Sequence, residues 1–69
     1  MLKIEDIKIG NILKYENNGI LRIGLVLNKQ PDSYQHSAVY RYRCFYLIEN
    51  KIDLWGIFEG NIRETVILC

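Results

Sequence analysis

The sequence predicts an all-β fold: a five-stranded, strongly bent antiparallel barrel with one 3₁₀ turn before its last strand. Three observations carry this. Branched and aromatic residues gather in short runs that suit a pleated surface. Polar turn signals of hairpin length separate the runs. Glycines sit inside two of them, where a strand bends or bulges.

The stretch from Phe45 to Leu68 organises the rest. Phe45–Ile48 is a strand run, and Glu49-Asn50-Lys51 a polar turn, with Asn50 the residue that tolerates positive φ. Ile52 to Phe58 then alternates. The expected inward set is Ile52, Leu54, Gly56 and Phe58. Asp53, Trp55, Ile57 and Glu59 are expected outward, with Trp55 outside or half under a loop. Asn61 to Thr65 is too short for a stable helix and fits one 3₁₀ turn. Thr65 to Leu68 is the last strand, and an unpaired edge there would invite strand addition.

Upstream, Leu2 to Ile7 is a lead-in or a single helical turn. Ile7 to Tyr15 is the first strand, bent at Gly10-Asn11, with Leu13 and Tyr15 inward. Asn18-Gly19 suits a type I′ hairpin turn. Ile20 to Leu27 is almost wholly apolar, and Gly24 within it marks a bend or a close backbone approach. Asn28 to Ser37 is the one long polar segment and the first candidate contact loop. Ala38 to Ile48 is a long third strand. One face carries Tyr40, Tyr42, Cys44, Tyr46 and Ile48. The other carries Arg41 and Arg43 toward solvent, then Phe45 and Leu47 under cover.

Length and composition bound the rest. The 69 residues make one domain, residues 1–69. A chain this short buries only roughly 60% of its unfolded surface, so its stability is thin. Two cysteines and one histidine supply neither a disulfide framework nor a full structural zinc site. A net charge of +1 excludes strong global attraction to nucleic acid or anionic membrane. The first ten residues carry charges at four positions and do not read as a signal peptide. No apolar run approaches the ~20 residues of a membrane span. The expected location is therefore intracellular.

Taken together, Ile9-Gly10-Asn11-Ile12-Leu13, Ile23-Gly24-Leu25-Val26, the hairpin turning at Glu49–Lys51, and Asn61-Ile62 feeding Val66-Ile67-Leu68 resemble the SH3-like small barrel. The layout is similar to the short stand-alone SH3-like proteins of tailed bacteriophages, with Asn11 where that pattern has Asp. The resemblance spans about residues 7 to 68. It implies a barrel that works by docking, as a small structural or accessory protein located in a host cytoplasm or in a virion.

No constellation points to catalysis or to a metal. Asp32 and His36 share a loop without a nucleophile, a base and a pocket around them. Asp32, His36 and Cys44 have no ligand spacing. No enzyme activity, cofactor or small-molecule substrate is expected. Large residues expected outside are the protein-contact candidates: Tyr34, His36, Trp55 and Ile57, facing a protein partner or a second copy. The alternative is a nucleic-acid surface in which Arg22, Arg41 and Arg43 share an outer face with Tyr40 and Tyr42. Glu49, Asp53 and Glu59 on adjoining strands would offset that charge.

Overall fold

The computed structural model describes residues 2–30 and 40–69. Five strands form one antiparallel sheet: β1 (Ile12–Asn17), β2 (Ile20–Lys29), β3 (Tyr40–Tyr46), β4 (Lys51–Ile57) and β5 (Thr65–Ile67). Their order across the sheet is β4-β3-β2-β1-β5. One 3₁₀ turn at Ile4–Asp6 precedes β1, and a second at Ile62–Glu64 feeds β5, where the sequence places it. The all-β reading holds. The closed cylinder does not, because β4 and β5 are the two outer strands and do not pair with each other.

Turn chemistry sets the register. Asn18 and Gly19 both have positive φ (51° and 80°), so the β1–β2 connection is the two-residue turn whose twist matches its strands. It fixes Asn17 opposite Ile20 and Leu13 opposite Gly24. Asn50, at φ 59°, closes the β3–β4 turn, and β4 starts at once with Lys51 opposite Tyr46. Gly10, at φ 95°, sits in a turn before β1 rather than bending a strand. Asn11 ties that turn down: its Oδ1 accepts from the Lys8 N–H, and its Nδ2 donates to the Cys69 carbonyl. The first strand therefore begins at Ile12 and not at Ile7. A register shift between Val26 and Asn28 bends β2.

The core lies on one face of the curved sheet. Leu13, Val26, Tyr42, Cys44, Tyr46, Trp55 and Ile57 fill it, and Ile7 closes one end. The expected facing of β4 is inverted. Trp55 is 4% exposed and Ile57 fully buried, whereas Ile52, Leu54 and Phe58 are exposed. The cause is the register, which sets Trp55 opposite Tyr42 and Ile57 opposite Tyr40, on the core side of β3. Gly24 then makes room for the indole. A Cβ there would lie 2.9 Å from Cε3 and Cζ3 of Trp55 and 3.2 Å from the Cys44 Cβ. The close approach expected at Gly24 is this one.

Candidate functional site: an apolar outer face and an aromatic groove

An antiparallel sheet with one buried face ordinarily shows polar side chains on the other. This one does not. Ile12 lies opposite Leu25, Leu25 opposite Phe45, and Phe45 opposite Ile52. Leu68 joins beyond β1, its N–H donating to the Ile12 carbonyl at 2.7 Å. Strand alternation puts this row on the face opposite Leu13 and Cys44. An apolar ladder thus crosses the whole sheet on its outer side. Val66, Ile23 and Leu47 flank it on one side, and Leu54, opposite Arg43, on the other. Leu21, Leu47, Ile52, Leu54, Val66 and Leu68 are all exposed. Among the described residues of the strands, charge enters this face at intervals, through Lys14, Glu16, Arg41 and Arg43. Lys14 and Glu16 pair with each other at 3.3 Å.

The inner side opens at one end into a groove of about 500 Å³. Tyr15, Arg22, Tyr46, Trp55, Phe58 and Asn61 are among the residues that line it. The Tyr46 ring lies 5.5 Å from that of Trp55, and the Arg22 guanidinium stands 5.9 Å from the Tyr46 centroid. Burial, chiefly, pushes the Tyr46 hydroxyl up to about 12. Cys44, Asp53 and Glu49 add to the rise, and Arg22 opposes it. The neutral hydroxyl donates to the Leu54 carbonyl at 2.6 Å. Burial likewise pushes the Cys44 thiol up to about 12, so the group packs as a small hydrophobe and not as a nucleophile.

The exposed edge of β4 is already capped. The Leu54 N–H donates to Asp53 Oδ1 (2.8 Å), and the Leu54 carbonyl takes the Tyr46 hydroxyl. Asn61 donates to the Gly56 carbonyl (2.8 Å) and accepts from the Phe58 N–H (3.0 Å). These are the groups an incoming strand would need. At the other edge β5 is three residues long, and the Thr65 N–H is donated to the Ile62 carbonyl.

The sequence-predicted residues separate. Trp55 and Ile57 are core, so neither is an outward anchor. Tyr34, His36 and Asp32 lie outside the described residues. Arg22 sits on the core-side face with Tyr46, while Arg41 and Arg43 point the other way, since Tyr42 and Cys44 between them are buried. Tyr42 is 2% exposed and Tyr40 half-buried with Lys29 5.4 Å from its ring. The three arginines therefore do not share a face, and Tyr42 offers no ring to a base. Phe45 and Leu47 were expected under cover; Phe45 is half-buried and Leu47 exposed.

Sequence reasoning missed Phe58 and Asn61 as groove residues. Asn61 carried a signal, an Asn directly after Gly60 at a strand end, which is where side chains bond nearby backbone. No helix among the described residues is long and apolar enough to cross a membrane. Comparison of the chain with protein families, curated proteins and solved structures finds no match.

Proposed function

We propose that this chain is a non-enzymatic protein-interaction module that docks a protein neighbour through the outer face of its sheet. The observation that carries the reading is the ladder Leu68–Ile12–Leu25–Phe45–Ile52, with exposed Leu47, Leu54 and Val66 around it. Contiguous exposed apolar surface on a small domain marks a contact site. Arg43 and the Lys14–Glu16 pair at its margin supply the polar rim such sites have. The capped β4 edge favours docking by side chains over strand addition. The SH3-like framework belongs to this proposal. It is supported by the 3₁₀ turn before β5 and by the pairing of β1 with both β2 and β5. So does the role, a small accessory or structural protein of the phage type that the sequence resembles.

The test compares the wild type with an Ile52→Lys/Leu54→Lys variant as bait for proteins of the native source, with melting curves alongside. The expected result is a neighbour retained by the wild type and lost by the variant at unchanged melting temperature. A neighbour retained equally by both would overturn the outer-face reading.

A further inference from the structure

The groove on the opposite face asks for its own occupant. Among the described residues its side chains are chiefly aromatic, with Ile20, Leu54 and Asn61 beside them, and Arg22 is the single charged one. The guanidinium is exposed and rests against the Tyr46 ring, with no carboxylate partner among the described residues. Of the other polar groups there, two are already used, which leaves the Tyr15 hydroxyl. The Tyr46 hydroxyl serves Leu54, and the Asn61 amide serves Gly56 and Phe58. What is left to recognise an occupant is aromatic and aliphatic surface, the Tyr15 hydroxyl and the Arg22 cation, which asks for one anion. A volume of about 500 Å³ lies within the usual range of ligand sites. The complement is a carboxylate next to an aliphatic side chain on a projecting segment.

The chain carries that pair itself. At the β3–β4 turn Ile48 is 54% exposed, and Glu49 beside it is exposed with no ion pair among the described residues. Lys51, the nearest cation in sequence, is 3.8 Å from Asp53. Turn and groove are neighbours on the surface. Tyr46 ends β3 immediately before the turn and its ring also lines the groove. Glu49 and Arg22 both act on its hydroxyl, in opposite directions. When a projection and its complementary hollow lie side by side, a two-fold axis between copies lets each enter the other's hollow, and the contact closes at two.

We infer that a second copy of this chain occupies the groove: Ile48 of each protomer enters the groove of the other, and Glu49 of each meets Arg22 of the other. The inference does not rest on the docking reading: it uses the other face of the sheet, so either stands without the other.

Sedimentation equilibrium over a concentration series tests it, with Arg22→Glu, Glu49→Arg and the double exchange R22E/E49R. Each single reversal places like charges together and is expected to weaken dimerisation by about tenfold. The double exchange is expected to restore most of that. Dimerisation of the wild type is also expected to weaken as salt rises. Melting curves of all four proteins show that each is folded. A wild type that stays monomeric throughout, singles that associate normally, or a double no better than the singles would each overturn the inference. An Ile52→Lys variant, which leaves the lining of the groove untouched, separates the two faces. It is expected to keep this dimer, and loss of the dimer there but not in the charge reversals would assign self-association to the outer face instead.

Discussion

The two faces of the sheet carry similar side chains and meet different fates. Val26, Trp55 and Ile57 are closed off on one, while Leu25, Ile52 and Leu54 stand open or half-open on the other. Hydrophobicity alone does not choose between them, since leucine and isoleucine line both. What separates them is the shape on the inner side. Gly24 leaves a hollow that only a flat ring at Trp55 fills, and Tyr46 reaches across to bond the backbone of Leu54. A core depends on complementary shape and satisfied polar groups as well as on apolar content. The outer face has the apolar content without that fit.

That contrast is broken most severely from the inside. Trp55→Ala removes the ring from its seat on Gly24 and is expected to cost about 3–5 kcal/mol, read as a fall in the urea midpoint. Gly24→Val forces the converse overlap on Trp55 and Cys44, and overpacking of this kind costs about 1–3 kcal/mol. If either change left stability untouched, the indole would not be the core's keystone. Alkaline pH probes the same interior. Tyr46 and Cys44 titrate near 10 and 9 when unfolded and near 12 when folded, so the folded state holds their protons more tightly. Their contribution is fully present below pH 9 and is lost as pH rises from there through about 12. In Cys44→Ala the onset of that loss is expected to move up toward 10, where Tyr46 and Tyr42, whose hydroxyl burial also pushes up, begin to titrate in the unfolded chain.

At the edge, Asn61→Ala removes the bonds to Gly56 and Phe58 and is expected to cost about 1–2 kcal/mol. It also uncaps the β4 edge, so aggregation on storage, followed by light scattering, is expected to rise. The smallest effect on stability belongs to the outer face. Ile52→Lys/Leu54→Lys is expected to change the unfolding free energy by no more than about 0.5 kcal/mol per site, in contrast with its effect on partner retention. A large loss of stability there would mean that the outer face is a second core.

Much of the framework was legible because short-range chemistry writes it. Asn18-Gly19 and Asn50 mark their turns by backbone preference, and the 3₁₀ turn follows from a segment too short for a helix. The facing of β4 was not legible. Ile52, Leu54 and Phe58 look like a core set, and only the pairing of Trp55 with Tyr42 across the sheet decides otherwise. The start of β1 was also hidden, because Gly10 reads equally as a strand bend and as a turn. Of the candidate site, Arg22 was visible as a cation but not its face. The groove was not visible at all, since its walls come from four strands and the segment after β4.

The most direct measurement uses the chain's only tryptophan. Trp55 fluorescence with acrylamide quenching, native against urea-unfolded, reports which face of β4 is inward. The account predicts blue-shifted native emission and quenching several-fold weaker than in the unfolded chain. Native emission and quenching equal to those of the unfolded chain would put Trp55 outside, with Ile52 and Leu54 in its place, and would contradict the assignment of both faces.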